Sequence, residues 1–237
     1  MKTWKIIIAV LCMTLAAACA PKAQNSTGTQ NSTGTQNTQT TQNTQTTQNT
    51  TGTQNTQKAE GENAVIRTIV SRRSIRNYKQ IPVSRDTLNT IMECGINAPN
   101  GQNKQSWEVR VVDNPELLAQ MSQAMADSHE GMEFAKSCFR GAPVMVFIAR
   151  DPSYDFSAYD CGLLAENVML SAWSLGVGSI CLGSPVRFLT DNDICKPYVE
   201  KLGFSEGYEL CLCIGLGYAD ESPEAKPRDM GKVKFIN

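Results

Sequence analysis

YDCGLLAENVMLSAWSLGVGSICLG, residues 159–183, is the strongest helical pattern in the chain. Small and apolar residues at helical spacing form one stripe along it: Leu164, Val168, Ser171, Ala172 and Leu175. The segment is apolar almost all round, which is typical of a buried helix. Small side chains at Ala165 and Ala172 would let another helix approach closely. We therefore expect this helix to lie in the core of the protein.

Shorter helices and strands are predicted on both sides of this segment. Helical patterns cover residues 66–70, the residues after Ser84, the residues after Asn114-Pro115, and about Thr190 to Leu202. Strands are predicted at WEVRVVD (107–113), PVMVFIA (143–149) and YELCLCIGLGYA (208–219). PVMVFIA is continuously apolar, which indicates a central strand that is buried on both faces. Because the order lacks a regular βαβ series, we predict an α+β fold with a mainly antiparallel central sheet flanked by helices.

Residues 1–18 have the features of a secretory signal peptide. Lys2 and Lys5 precede a short apolar run, and small residues precede Cys19. The run is shorter than the roughly 20 residues that a membrane span needs. A buried first helix is the alternative. LAAAC, residues 15–19, is also similar to a bacterial lipobox, so we expect Cys19 to be lipidated, with a plainly cleaved signal peptide as the other interpretation.

Residues 19–62 are expected to form a disordered tether. From Asn25 to Gln57 the chain consists only of Asn, Gln, Ser, Thr and Gly. Such a composition cannot bury enough apolar surface to offset the entropy lost on ordering. An aggregation-prone Gln/Asn tract is the competing interpretation, but the frequent Thr and the interrupting Gly favour a tether. Residues 63–237 then remain for one domain.

Charge and cysteine content restrict the function of that domain. From Ala64 onward the sequence has 18 Lys and Arg residues against 21 Asp and Glu residues, a net charge of −3. A general nucleic-acid surface is therefore not expected. The domain has seven cysteines, an odd number that argues against a complete disulfide framework but leaves one bridge open. Cys211 and Cys213 alternate on a predicted strand, which would place both thiols on one face. Because His129 is the only histidine, a metal site is not expected.

The segment RRSIRNYK, residues 72–79, concentrates positive charge in neutral and apolar surroundings. Arg72, Arg73 and Arg76 follow a short predicted helix, and Ser74 adds a hydroxyl group between them. Arginine presents several donors in a fixed geometry that suits a phosphate group. For this segment alone, a solvated basic turn is an equally good interpretation.

Three further polar segments could contribute to a binding site. APNGQNKQSW (98–107) offers the amides of Asn103 and Gln105, which could contact a flat heteroaromatic ring. The glycines of GVGSICLGSP (176–185) would let backbone N–H groups approach a planar ligand. A helix C-cap followed by a turn is the alternative for that segment. AKPR (225–228) supplies Lys226 and Arg228. Each of these signals is weak alone.

Together the segments resemble the nitroreductase family of FMN-dependent oxidoreductases. The matching pieces stand in the family's order between Ala64 and Phe235: RRSIRNY, APNGQNKQSW, GAPVMVFIA, NVMLSAWSLGVGSICLG and IGLGYADESPEAKPR. The resemblance implies a nitroreductase-like fold and an intertwined homodimer with FMN at its interface. Ser106 departs from the family, which generally has proline after the glutamine, and we expect this change to loosen the loop.

The resemblance also implies which residues bind FMN. The phosphate and the nearby flavin edge would be held by Arg72, Arg73, Ser74 and Arg76. Asn103, with Gln105 beside it, would contact the flavin or its ribityl chain. The backbone would meet the reactive ring nitrogen at Leu182, Gly183 and Ser184. Two residues would return to the phosphate across the dimer interface: Lys226 and Arg228. The sequence singles out no catalytic acid or base.

The expected function is hydride transfer through FMN to small acceptors such as nitroaromatics or quinones, with ping-pong kinetics. NAD(P)H is the usual donor in the family. The alternative is a membrane-tethered flavin-binding or interaction protein without NAD(P)H-driven turnover, because NAD(P)H is expected to be scarce outside the cytoplasm. Ala20 after Cys19 provides no acidic signal for retention in the inner membrane. We therefore expect an exported protein of the cell envelope, lipid-anchored to the outer membrane.

Overall fold

The computed structural model describes residues 63–237, which form helices around a four-stranded sheet. The predicted signal peptide (residues 1–18), Cys19 and the predicted tether (residues 19–62) lie outside the described residues. Between residues 63 and 237, each helix is too short or too polar for a membrane span.

Local capping explains where the early helices begin. Asn63 accepts a hydrogen bond from the Val65 backbone N–H at 2.9 Å, and Ser84 accepts one from Thr87 at 3.2 Å. Asn114 does the same for Leu117 at 2.8 Å. These side chains satisfy backbone donors that have no acceptor within the helix. The α-helices of the described residues are α1 (Ala64–Ser71), α2 (Arg85–Ile96), α3 (Pro115–Ser128), α4 (Glu133–Lys136), α5 (Ser157–Ser174), α6 (Ser184–Thr190) and α7 (Lys196–Leu202).

The sheet confirms the predicted mainly antiparallel architecture. Its strands are β1 (Trp107–Val112), β2 (Val144–Arg150), β3 (Gly178–Leu182) and β4 (Glu209–Gly217), in the order β1-β2-β4-β3. Every neighbouring pair is antiparallel. β2 and β4 are therefore central, while β1 and β3 lie at the edges.

Two hydrophobic clusters cover the two faces of the sheet. On the face that we call the α3 face, Met145 and Phe147 of β2 pack with residues of α3, α6 and α7. On the opposite face, the α5 face, Val146 and Ile148 pack with residues of α2 and α5. The prediction that PVMVFIA forms a central strand buried on both faces is confirmed, since residues 144–149 of β2 are all buried.

Three details differ from the sequence expectations. The α5 helix is not buried all round, because Tyr159 is 70% exposed and Leu163 is 45% exposed. The segment after α5 contains a strand, β3, where the sequence suggested only glycine-rich loop. The predicted helix from Thr190 to Leu202 is interrupted: Asn192 accepts a hydrogen bond from the Cys195 backbone N–H at 2.9 Å and turns the chain between α6 and α7.

The two thiols predicted on one face of β4 lie on opposite faces. The pairing of β2 with β4 joins Ile148 to Leu212 and Ala149 to Leu210, which leaves Cys211 as an extra residue in β4. This is a β-bulge, which breaks the strict alternation of side chains. Cys213 consequently packs on the α3 face, whereas Cys211 packs on the α5 face.

Candidate functional site

The basic segment 72–79 lies against the end of the sheet where β3 begins and β4 ends. The Ile75 backbone N–H donates to the Ser179 carbonyl at 2.9 Å, and the Lys79 backbone N–H donates to the Tyr218 carbonyl at 2.9 Å. Ile75 is buried beside Gly178, where an added Cβ would lie 2.8 Å from the Ile75 side chain. The segment is thus anchored by an apolar side chain and by backbone hydrogen bonds. Its arginines extend from a fixed frame.

Most of the positive charge on this segment is not neutralised by acidic side chains. Arg72 lies 3.9 Å from Glu166. Arg73 donates to the Val70 and Arg72 carbonyls, each at 2.8 Å, and Arg76 donates to the Ser74 carbonyl at 3.2 Å. Among residues 63–237, Arg73 and Arg76 form no ion pair within 4.0 Å. Their guanidinium groups therefore retain donors for an anionic ligand.

The next predicted group, Leu182 to Ser184, lies at the other end of the same edge strand. The Leu182 side chain is buried on the α3 face, so its backbone is the part that can face a ligand. At Gly183, an added Cβ would meet no atom within 4 Å. Ser179 and Gly183 are separated by about 13 Å at the usual rise of a strand. The edge of β3 therefore has positively charged arginines at one end. At the other end, the backbone at Gly183 has free space beside it.

The loop before β1 is held in an unusual conformation. Its residues Gln102, Asn103 and Gln105 have φ angles of 55°, 54° and 49°. Such left-handed conformations are unfavourable for side chains other than glycine and persist where surrounding contacts hold them. The two predicted ligands in this loop, Asn103 and Gln105, have exposed side chains.

Asp160 supplies those contacts, and sequence reasoning did not single it out. This carboxylate is only 3% exposed and accepts hydrogen bonds from the Gly101 N–H and the Ser106 hydroxyl, both at 3.0 Å. Asp160 lies in the first turn of α5, where the helix dipole favours a negative charge. The only sequence signal was an acidic residue at the start of an apolar helix. Ser106 stands where the family generally has proline. Its hydroxyl joins the loop to α5 through the hydrogen bond to Asp160.

One protomer does not bring all the predicted residues together. β1 and β3 are opposite edges of the sheet, three strand spacings or about 14 Å apart. The loop with Asn103 therefore lies far from the β3 edge, although at the same end of the sheet as Gly183. The chain after β4 begins beside the basic segment, where the Asp220 backbone N–H donates to the Asn77 carbonyl at 2.9 Å. Lys226 and Arg228 are exposed further along this tail.

The ionisable groups near the basic segment do not include an obvious proton carrier. Tyr78 donates to the Ile75 carbonyl at 2.8 Å, and burial, followed by the charge of Glu221, raises the pKa of its hydroxyl far above the ordinary value. Glu221 itself accepts a hydrogen bond from the Arg76 backbone N–H. Over residues 63–237, no group of three or more His, Cys, Asp or Glu side chains could hold a metal ion. The arrangement is suited to binding an elongated anionic ligand.

Comparison with known proteins identifies the family. A model of the nitroreductase family matches residues 69–218. An NADPH-flavin oxidoreductase of Vibrio harveyi is 31% identical over 178 residues, which cover 70% of this chain and 70% of that protein. Among solved structures, a nitroreductase with bound FMN from Desulfitobacterium hafniense DCB-2 is 31% identical with a TM-score of 0.68, covering 75% of this chain and 100% of that one. A nitroreductase with bound FMN from Bacteroides fragilis NCTC 9343 has 27% identity and a TM-score of 0.65, covering 74% and 100%. The chain belongs to the nitroreductase family.

Proposed function

We propose that the protein is an FMN-dependent oxidoreductase that passes a hydride from NAD(P)H to small acceptors such as nitroaromatics or quinones. The observation that supports this best is the β3 edge. One end has Arg73 and Arg76, which form no ion pair among residues 63–237, and the other end has free space beside the backbone at Gly183. FMN has a matching form, with a phosphate at one end and a planar ring at the other. Family membership and relatives with bound FMN support the same proposal.

The hydrogen-bond donors of these segments fit this cofactor. Arg73 and Arg76, with Arg72 and Ser74 beside them, would hold the phosphate and the adjacent flavin edge through charge-assisted hydrogen bonds. The space beside Gly183 would admit the ring against the backbone of residues 182–184, because an added Cβ there would meet no atom within 4 Å. Lys226 and Arg228 would reach the phosphate from a second protomer.

In the proposed mechanism, FMN supplies the hydride chemistry, and the protein supplies binding, orientation and exclusion of water. The arginines fix one end of the cofactor, and the backbone at Gly183 and Ser184 can donate hydrogen bonds to negative charge that develops on the ring. The donor and the acceptor would use the same site in turn, which gives ping-pong kinetics. We assign no protein side chain as acid or base.

We further propose that the active form is a homodimer. The residues that the family pattern assigns to FMN lie on opposite edges of one sheet, so a second protomer would have to bring Asn103 and Gln105 to the β3 edge. α1 also supports association, because it has exposed apolar side chains: Val65 (65%), Ile66 (55%), Ile69 (52%) and Val70 (66%). An eight-residue helix has little stability unless it packs against other elements.

The proposed activity can be tested with purified full-length protein. We expect the protein to bind FMN and to oxidise NADH or NADPH with menadione or a nitroaromatic compound as acceptor. Initial rates at several acceptor concentrations should give parallel double-reciprocal lines. FMN binding no tighter than millimolar would refute the proposal.

The alternative of a tethered flavin-binding protein is separated by stopped-flow absorbance. Rapid reduction of the bound flavin by NAD(P)H, followed by rapid reoxidation by menadione, would exclude a role in binding alone. Tight FMN binding without reduction by either nucleotide would support the alternative.

We also propose that Cys19 is the lipidated N-terminus of an exported protein, attached by the tether of residues 19–62 to the outer membrane. The support is the LAAAC sequence together with the basic and apolar residues before it. Changing Cys19 to Ala should release the protein from the membrane fraction while FMN binding is unchanged. A Cys19→Ala protein that still sediments with membranes would contradict the lipid anchor.

A further inference from the structure

Cys161 and Cys211 bring two thiols together outside the residues assigned to FMN. Cys161 lies on α5, is fully buried and approaches the Ala149 carbonyl at 3.8 Å. Cys211 occupies the bulge of β4, beside the residue paired with Ala149, and is half-buried on the same α5 face. The partner of Ala149 in β4 is Leu210, the neighbour of Cys211, so the two thiols lie on the same side of the sheet next to the same residue of β2. The sequence separates them by 50 positions, and the bulge is what turns Cys211 toward α5.

The two thiols have different chemical character. The hydrogen bond with Cys211, and then burial, raise the pKa of Cys161 well above the ordinary value. The hydrogen bond from Cys161 lowers the pKa of Cys211, and the charge of Arg150 adds to this effect against burial. Arg150 is in turn paired with Glu209 at 3.1 Å. The other ionisable groups that interact with the pair are Asp160, Tyr208, Cys181 and Cys213. Cys211 is thus the more accessible and more acidic thiol.

We propose that Cys161 and Cys211 form a thiol–disulfide redox site whose oxidants are small, uncharged organic disulfides. The Cys211 thiolate attacks one sulfur of the disulfide, which forms a mixed disulfide and releases one small thiol. Cys161 then loses its proton and attacks the Cys211 sulfur, which forms the Cys161–Cys211 disulfide and releases the second small thiol. Two protein thiols are oxidised, one disulfide is reduced, and the two protons leave with the two small thiols.

The bulge makes the required movement feasible. A disulfide needs the sulfur atoms to approach to about 2.05 Å, closer than hydrogen-bonded thiols. Cys211 is the extra residue of the bulge and is not paired with β2, while the pairing of β3 with β4 begins only at Cys213. Within the described residues, no ladder partner therefore restrains Cys211 on either side. Its backbone can shift without breaking the register of the sheet.

The other cysteines provide internal comparisons. Cys94 and Cys181 are exposed, and nothing places a second thiol in hydrogen-bond contact with either among residues 63–237. They should form mixed disulfides that have no resolving partner. Cys138, Cys195 and Cys213 are fully buried on the α3 face, and burial raises the pKa of Cys138 and Cys213. They should react slowly in the folded protein.

The experiment treats reduced full-length protein with bis(2-hydroxyethyl) disulfide at neutral pH, stops the reaction with acid, and alkylates the remaining thiols. Peptides are then mapped by mass spectrometry after cleavage by trypsin and by an enzyme specific for Glu, since Glu166 lies between Cys161 and Cys181. The expected product is a peptide containing Cys161 joined to a peptide containing Cys211, with the loss of two hydrogen atoms. Fragment spectra distinguish Cys211 from Cys213.

Three variants make the result decisive. Cys211→Ser should leave Cys161 as an unreacted thiol, because the attacking thiol is absent, and Cys161→Ser should leave Cys211 as a stable mixed disulfide. Cys181→Ser is the matched control and should form the link as the unaltered protein does. Because the main readout uses the unaltered protein, a folding defect in one variant does not prevent a decision. Mixed disulfides without the Cys161–Cys211 link in the unaltered protein, or a disulfide between Cys161 and another cysteine in Cys211→Ser, would overturn the proposal.

Discussion

Asp160 shows how one buried carboxylate can determine the shape of a loop. It accepts hydrogen bonds from the Gly101 backbone N–H and the Ser106 hydroxyl, and three of the four residues between them adopt left-handed conformations. At Gly101, an added Cβ would lie 2.2 Å from the Tyr154 hydroxyl, so the loop is also tightly packed there. The side chains of Asn103 and Gln105 can project in a fixed direction only while these contacts hold.

Changing Asp160 to Ala should therefore release the loop. The partly buried Gly101 N–H and the buried Ser106 hydroxyl would lose their acceptor, which typically costs about 1–3 kcal/mol for a buried unsatisfied group and less for a partly exposed one. We expect a lower free energy of unfolding in urea, weaker FMN binding and faster cleavage by trypsin after Lys104. Asp160→Asn keeps one acceptor oxygen and should lose less.

Asp155→Ala is the matched control, because Asp155 is exposed just before α5. It should leave the loop resistant to trypsin. Equal sensitivity to trypsin in the two alanine variants would show that Asp160 does not hold the loop.

The arginines that we propose to hold the FMN phosphate provide the second prediction at this scale. Replacing Arg73 and Arg228 together with Ala should raise the dissociation constant of FMN by at least about 100-fold, since charge-assisted hydrogen bonds contribute about 1.5–3 kcal/mol each. Riboflavin has no phosphate, so its affinity should hardly change. Flavin fluorescence titrations measure both constants.

Arg85→Ala is the control for loss of positive charge, because Arg85 is exposed and pairs with Asp113 at 2.6 Å. It should not affect FMN binding. Equal losses of FMN and riboflavin affinity in the double variant would mean that these arginines support the fold instead of binding phosphate.

At the scale of elements, the contact between α2 and α5 organises the α5 face. Leu88 and Ile91 of α2 pack with Leu164 and Val168 of α5 in one cluster. Gly95 permits the close approach, because an added Cβ would lie 2.6 Å from the Val168 side chain and 3.8 Å from the Leu164 carbonyl. A glycine inside a helix is unfavourable for the helix itself, so the packing must compensate.

Gly95→Ala should consequently destabilise the protein by about 1–3 kcal/mol, the usual effect of overpacking, although alanine favours helix formation. Urea unfolding measures the change. Asn89→Ala is the control, because Asn89 lies on the exposed side of α2 and its replacement improves helix propensity without a clash. If Gly95→Ala were as stable as Asn89→Ala, the close approach would not limit the packing.

At the scale of the whole molecule, α1 exposes more large apolar side chains than any other helix between residues 63 and 237. It contacts α5 through the Trp173 indole N–H, which donates to Ser71 at 2.9 Å, and none of its own residues is buried. A groove of about 350 Å³ lies beside it, lined by Val65, Ile69, Cys94 and Leu170 among others. This surface is where we expect the proposed homodimer to form.

Ile69→Asp should shift the protein toward monomer, because it places a charge on a surface that becomes buried on association. FMN binding should weaken with it, since each proposed site draws on both protomers. Light scattering after size-exclusion chromatography measures the mass of the particle. Ile194→Asp is the control, because Ile194 is 51% exposed and Ile69 is 52% exposed. Retention of the dimer by Ile69→Asp would exclude α1 from the interface.

Features that depend on neighbouring residues could be predicted from the sequence. Caps at Ser84 and Asn114 and the apolar run of β2 act through neighbours only a few residues away, so the helices, the central strand and the α+β class could be predicted. The basic segment could likewise be recognised because its arginines are close together in the chain. Residues assigned to FMN through the family resemblance remain predictions.

Features that depend on contacts between distant residues could be seen only in the folded structure. Asp160 holds a loop that lies 59 positions earlier, and no local pattern records that hydrogen bond. The bulge that separates Cys211 from Cys213 depends on how β4 pairs with β2, so alternation along the strand predicted the wrong face. The separation of the predicted ligands follows from strand order, because β1 and β3 became opposite edges of one sheet. Each feature is set by packing across the fold, which the periodicity of a single segment does not contain.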